Sequence, residues 1–178
     1  LVPRFDNTKV MQNFTTLAAP EEAAAADDKG ASSQTIFLTK VPTVVNSSSE
    51  ITVMGGTYLL SSSFSATGSI GTKEAPFRGT IEGQIGSSFD VSAPFIAYAE
   101  DAVIKNVIIE STNKVSGNST AKVGETEVTA LGAICNVAQG NTRIYNCGIN
   151  GGSVSGSADY VGGIVGLLDG SARVINCY

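Results

Sequence analysis

Residues 131–147 read Leu131-Gly132-Ala133-Ile134-Cys135-Asn136-Val137-Ala138-Gln139-Gly140-Asn141-Thr142-Arg143-Ile144-Tyr145-Asn146-Cys147. Residues 161–177 read Val161-Gly162-Gly163-Ile164-Val165-Gly166-Leu167-Leu168-Asp169-Gly170-Ser171-Ala172-Arg173-Val174-Ile175-Asn176-Cys177. Set one beneath the other, thirty residues apart and without a gap, six pairs are identical: Gly132/Gly162, Ile134/Ile164, Gly140/Gly170, Arg143/Arg173, Asn146/Asn176 and Cys147/Cys177. Val137/Leu167 and Ile144/Val174 keep their apolar character. With one gap, Phe95 to Val107 follows the same plan: an apolar run, Glu100-Asp101 at the turn, then Val103-Ile104-Lys105-Asn106-Val107. Self-similarity at a period of 20–50 residues marks a repeat architecture.

The repeat unit holds short apolar runs and no helix-forming segment, so it predicts an all-β parallel β-helix. One unit cannot bury its apolar positions alone. Units laid one on another pair strand to parallel strand at about 4.8 Å and bury them in a continuous column. Identical residues then meet themselves. Asn106, Asn146 and Asn176 share one register and are expected to form an amide ladder. Cys147 and Cys177 are expected to stack inside as small apolar groups. Gly132 and Gly162 are expected at a sharp bend or a close approach of chains.

The rest of the chain after Gly30 fits this reading. Short β runs are predicted at Thr35–Leu38, Ile51–Met54, Thr57–Leu60, Phe89–Val91, Phe95–Tyr98, Val103–Ile109, Ala133–Val137, Arg143–Ile149, Gly163–Leu168 and Ala172–Cys177. No segment there sustains a period of 3.6. Three parts are distinguished. Leu1-Val2-Pro3-Arg4 matches the thrombin site of expression vectors and is set aside as a tag remnant. Residues 5–31 form a leader or N-terminal cap. Within it Pro20, Glu21-Glu22 and Gly30 are placed as helix start and stop signals around an Ala run without an apolar stripe. Residues 32–178 are the repeat domain.

Composition removes whole classes of function. The 178 residues include 11 Lys+Arg and 16 Asp+Glu, a net charge of −5, and neither His nor Trp. A Ser-His-Asp or Cys-His nucleophile and a His-ligated metal are therefore excluded. No basic cluster provides an electrostatic footprint for nucleic acid. No run of about 18 apolar residues spans a membrane. Three Cys is an odd number, which excludes a pure disulfide framework. Few Cys and a mild negative charge fit a bacterial exported or surface protein.

Four groups of side chains are candidates for chemistry or binding. Glu100-Asp101, with Asp90 and Lys105, is the best carboxylate cluster for polysaccharide cleavage on an outer face, with Ca²⁺ as a conceivable aid. Adjacent strand residues point to opposite faces, so the plainer reading is solvated turn residues. Cys135, Cys147 and Cys177 have spacings of 12 and 30, which match no zinc pattern. Buried thiols are the plainer reading, with a Cys147–Cys177 bridge as the alternative. Lys73-Glu74 and Arg78 lie in a Gly-rich stretch without phosphate-loop spacing. Phe89, Phe95 and Tyr98 are expected in the core, whereas Tyr145, Tyr160 and Tyr178 are candidates for a sugar-stacking platform. Two polar stretches, Ser111–Thr129 and Asn150–Ser157, are candidate recognition loops, the first either an inserted loop or a hairpin turning at Gly124.

The run from Val161 to Tyr178, opening Gly162-Gly163-Ile164-Val165-Gly166 and closing Asn176-Cys177-Tyr178, resembles the GLUG repeat of bacterial surface proteins. Such repeats occur in the non-catalytic regions of immunoglobulin A-cleaving metallopeptidases and in large adhesins. Gly71–Gly83, with Pro76-Phe77 and Gly79-Thr80, looks like the segment that precedes such repeats. The resemblance covers roughly Gly71 to Tyr178. At Cys135-Asn136 the first copy departs from it, where the motif has an aliphatic-Gly pair. The resemblance implies a right-handed parallel β-helix on or outside a bacterial cell. It does not imply peptidase activity, because no His-Glu-x-x-His motif exists.

These readings converge on a non-enzymatic, adhesin-like module without cofactor or metal site, extracellular or at the bacterial cell surface, that presents loops to a host protein or glycan. A polysaccharide-active β-helix enzyme and an accessory region of a larger secreted hydrolase are the alternatives. The last repeat stops at Cys177-Tyr178, so further chain, or a homodimer joined end to end through that open rung, is expected to cover it.

Overall fold

Val, Ile and Leu between Gly and Asn punctuation favour short pleated segments, and the described residues form sixteen of them. A computed structural model describes residues 41–178, all within one compact unit, Thr39–Tyr178. The tag-like residues 1–4, residues 5–31 with their proposed helix signals, and the run Thr35–Leu38 lie outside the described residues.

The strands are β1 Thr43–Ser47, β2 Thr57–Ser65, β3 Thr80–Glu82, β4 Ile96–Glu100, β5 Val103–Lys105, β6 Ile108–Glu110, β7 Lys114–Val115 and β8 Ser119–Val123. They continue with β9 Thr126–Gly132, β10 Cys135–Gln139, β11 Arg143–Tyr145, β12 Gly148–Asn150, β13 Ser153–Val154, β14 Tyr160–Gly162, β15 Val165–Leu168 and β16 Arg173–Ile175. Among the described residues the only helical element is a 3₁₀ turn at Ser48–Glu50. None is a helix long and apolar enough to cross a membrane. The protein is all-β, with several parallel sheets. The largest runs β1-β2-β3-β5-β11-β16; others run β4-β10-β15, β6-β12 and β7-β13. In the last sheet, β8-β9-β14, β8 pairs with β9 antiparallel, while β9 pairs with β14 parallel.

The thirty-residue alignment is the hydrogen-bonding register. Gly132 pairs with Gly162, Val137 with Leu167, Arg143 with Arg173 and Ile144 with Val174. The weaker copy obeys the same rule, gap included. Cys135 pairs with Ile96 and Arg143 with Val103, so the turn Gly140-Asn141-Thr142 is one residue longer than Asp101-Ala102. Tyr58, Ile81, Ile104, Ile144 and Val174 then fall on one line across the large sheet. The middle three are fully buried, each stabilising the fold by about 1.5–3 kcal/mol. Phe64, Phe89 and Phe95 pack edge to face beside this column, with ring centroids 4.9–5.9 Å apart, the geometry their quadrupoles favour.

Turns repeat as the strands do. Asn106, Asn146 and Asn176 all adopt the left-handed conformation, with φ of 56°, 53° and 51°. Each amide donates to the oxygen below: Asn176 to Asn146 at 2.7 Å, Asn146 to Asn106 at 3.5 Å, and Asn106 to the Glu82 carboxylate at 3.2 Å. Gly would tolerate this φ, but only Asn both visits it readily and ladders. The neighbouring turn uses Asp101, Gly140 and Gly170, again with positive φ. A Cβ on Gly132 would stand 2.5 Å from the Gly166 nitrogen, so the expected close approach is real there.

The runs Val103–Ile109 and Arg143–Ile149 are each split in two, at Asn106 and at Asn146, because those residues leave the β region. Ile51–Met54 is not a strand. Ile51 donates to the Ser48 carbonyl at 3.2 Å and Gly56 to Val53 at 2.9 Å. The Tyr58 hydroxyl binds both the N–H and the carbonyl of Val53 at 3.0 Å. The segment is a turn whose backbone groups are met by a side chain instead of a ladder.

Candidate functional site

The polar stretch Ser111–Thr129 contains a hairpin. β8 and β9 pair from Ser119/Ala130 to Val123/Thr126, leaving Gly124-Glu125 as the turn. Gly124 has φ of 61°, the position where a II′ turn requires glycine. The hairpin covers the outer face of β4-β10-β15. Beneath it lies a second small core of Ala121, Val128, Ala130 and Val137, with Tyr98 and Leu167 against it. That cover explains why β10 is buried on both faces. Tyr98 is corrected by this arrangement: it packs outside the main core, and its hydroxyl donates to the Thr120 carbonyl at 2.7 Å. Phe89 and Phe95 are buried in the main core as expected.

Asn136 holds the hairpin down. The downstream repeat has Gly166 at this register, and there a Cβ would stand 2.5 Å from the Leu131 nitrogen. Asn136 is buried at 2% exposure. Its oxygen accepts from the Gly132 N–H at 2.9 Å; its amide donates to the Gly117 carbonyl at 3.0 Å and the Ser119 hydroxyl at 2.8 Å. The departure at Cys135-Asn136 from the repeat's pattern is thus tied to the insertion of the hairpin. A second clamp closes the other strand. Asp159 accepts from the Thr129 N–H at 2.7 Å and hydroxyl at 2.9 Å. These hydrogen bonds hold the Asp159 carboxyl below its usual range.

The two polar stretches singled out in the sequence meet on one side of the molecule. Lys114 and Val115 pair with Ser153 and Val154, and the Asn118 amide donates to the Ser157 carbonyl at 3.3 Å. Between the hairpin and the sheet runs a groove of about 290 Å³ lined by Lys73, Tyr98, Thr120, Lys122, Gln139 and Asp169, with Ala121 and Val137 buried behind them. Sequence reading named Lys73, but nothing in the chain signals that it lines a groove with Lys122.

The carboxylate cluster does not assemble. Glu100 pairs with Arg78. Asp101 accepts from the Asn141 N–H at 2.8 Å and its amide at 3.2 Å, supporting the turn above. Asp90 accepts from Thr112 at 3.0 Å and Asn113 at 2.9 Å, and the Thr112 hydroxyl is the main reason its carboxyl is lowered. Lys105 meets Glu82 at 2.8 Å, which raises the lysine. Among the described residues no three Cys, Asp or Glu converge to hold a metal ion.

The three cysteines are free. Cys147 donates to the carbonyls of Tyr145 at 3.3 Å and Ile104 at 3.8 Å. Cys177 repeats this one pass later, to Ile175 at 3.3 Å and Ile144 at 3.7 Å. The Cys147 N–H points at the Cys177 sulfur, 3.4 Å away. Burial pushes the Cys135 and Cys147 thiols up to about 12. Tyr145, Tyr160 and Tyr178 form no common platform. Tyr145 lies in the large sheet beside Lys105, Tyr160 pairs with Ala130 beside the hairpin, and Tyr178 follows β16.

Comparison of the chain with protein-family models, with curated proteins and with solved structures finds no match.

Proposed function

We propose that the chain is a right-handed parallel β-helical module of a bacterial secreted or cell-surface protein, and that its task is display without catalysis. The observation that carries this reading is the contrast within one repeat. Identical residues stack in parallel register for structure alone, while among the described residues an extra hairpin, locked by Asn136 and Asp159, is added to one pass only. Extra residues on one rung of a repeat protein project where partners bind. The GLUG-like opening and Asn-Cys-Tyr close of residues 161–178 support the setting outside the cell. Glu100, Asp101, Asp90 and Lys105 each have a separate structural partner, which favours display over polysaccharide cleavage.

The ligand in this reading is a host glycan or protein held by the hairpin side. A glycan array and a panel of purified host surface proteins test it. Binding that a deletion of residues 117–129 abolishes is the expected result; binding that survives the deletion, or none on either panel, overturns it. The same reading makes the edge of β15 and β16 a self-association surface between two copies. Leu168 and Ile175 there are 45% and 49% exposed, beside unpaired strand backbone. Sedimentation is expected to show a concentration-dependent dimer, lost in L168K/I175K.

A further inference from the structure

The groove under the hairpin has a mixed lining that selects among ligands. Lys73 comes from the turn after Gly71 and Lys122 from β8, two distant segments whose exposed lysines line one cleft. Neither has an ion-pair partner among the described residues. Glu127 stands opposite Lys122 in the hairpin and Glu74 follows Lys73, yet neither forms an ion pair with them. The half-buried ring of Tyr98 is its apolar surface, with Ala121 and Val137 buried behind it. Gln139, Thr120 and Asp169 complete the lining. At about 290 Å³ the groove lies near the lower size of small-ligand clefts.

We propose that this groove binds an acidic sugar, a pyranose bearing a carboxylate or sulfate. The ring's C–H face lies against the half-buried ring of Tyr98, Lys73 and Lys122 take the anionic group, and Gln139, Thr120 and Asp169 exchange hydrogen bonds with the hydroxyls. Gln139 offers both donors and acceptors and Asp169 acceptors only. Asp169 decides against a bare phosphate or sulfate ion, which it would repel, while a hydroxyl-rich ring places a donor against it. This inference rests on the reading of the hairpin side as the recognition surface and specifies its ligand.

The test is amide-resolved NMR titration with sodium N-acetylneuraminate, a galacturonate trimer, a sulfated galactose and, as the neutral control, chitobiose. Expected are shifts centred on Lys73, Thr120, Lys122 and Gln139 with at least one acidic probe, at least tenfold weaker with chitobiose and weakened by salt. The pattern across the carboxylate and sulfate probes tells which anion is preferred. K73Q/K122Q, both exposed positions, is expected to lose at least tenfold in affinity with an unchanged thermal midpoint. R143Q/R173Q, which removes an equal charge from the large sheet, is expected to bind like the parent. Equal affinity for chitobiose, shifts away from the groove, or an undiminished K73Q/K122Q overturns the acidic-sugar assignment. If the acidic probes fail while another glycan or a protein binds the hairpin, the acidic-sugar assignment alone falls. If nothing binds there, the recognition reading falls with it.

Discussion

Replacing Asn136 by Ala is the sharpest perturbation of the hairpin. The side chain makes three hydrogen bonds of 2.8–3.0 Å from a buried position. At about 1 kcal/mol net for each, their loss costs about 3 kcal/mol. The Gly132 N–H is left without that acceptor inside the protein, which adds about 1–3 kcal/mol while the hairpin stays docked. Opposing this, the hairpin's own apolar anchors are small, Ala121, Val128 and Ala130 against Val137. The cheaper response is therefore for β8 and β9 to lift and let water reach Gly132. Local opening caps the global loss, because the large sheet is untouched. N136A is expected to lower unfolding stability in urea by about 2–4 kcal/mol, a loss that a domain of ordinary stability of about 5–15 kcal/mol survives. Hydrogen exchange is expected to rise sharply over Ser119–Ala130 while Arg143–Tyr145 stays protected. In a cycle with S119A, the double variant is expected to lose about 1 kcal/mol less than the sum of the singles. A loss under about 1 kcal/mol with an intact hairpin, or protection falling evenly through every ladder, would refute the reasoning.

Other outcomes follow from the same geometry. At Asn146, Ala carries the left-handed penalty of about 1–2 kcal/mol while Gly does not, so N146A is expected to melt below N146G; the reverse order would show that φ does not set the residue there. In native protein at pH 8 a disulfide reagent is expected to titrate Cys177 ahead of Cys135 and Cys147, whose thiols burial keeps protonated. All three should react in denaturant, and a Cys147–Cys177 bridge in purified protein would contradict the stack. Because those two thiols are raised in the folded chain, the stability they contribute is whole below about pH 9 and is lost toward pH 12. Asp159 is lowered, so its contribution is present above its ordinary value near 3.8 and disappears as acid protonates it. The protection factor of the Thr129 amide, its exchange rate corrected for the intrinsic pH dependence, is expected to fall below that pH in the parent and to be low throughout in D159N.

What could be read from the chain and what could not divides along a physical line. Parallel in-register stacking places each residue on its own counterpart, so selection at Asn106, Asn146 and Asn176, or at Cys147 and Cys177, writes the same letter at a fixed interval. That interval is visible without coordinates. Ile51–Met54 alternates like a strand, but its backbone is met by the Tyr58 hydroxyl, a tertiary contact that alternation cannot announce. β1, Thr-Val-Val-Asn-Ser, and β13, Ser-Val, carry no sustained alternation and escape pattern reading for the opposite reason. Glu100 and Asp101 look like a catalytic pair only because they are neighbours in sequence; Arg78 and Asn141, from other passes, give each a separate task.

The groove illustrates the remaining limit. Lys73 and Lys122 belong to segments with no repeat relation, so no periodicity links them, and only the folding of the hairpin back over β10 brings them to one cleft. Yet the sequence does hold one sign of it. Where stacking asks for a small residue, as at Gly166, Asn136 breaks the rule. A break in a strict repeat has a cost in the ladder, and it persists where something outside the ladder needs it. Here that is Gly117 and Ser119, the foot of the hairpin. Among described turns that copy themselves at Asn106, Asn146 and Asn176, the position that fails to copy points to the hairpin laid over β10.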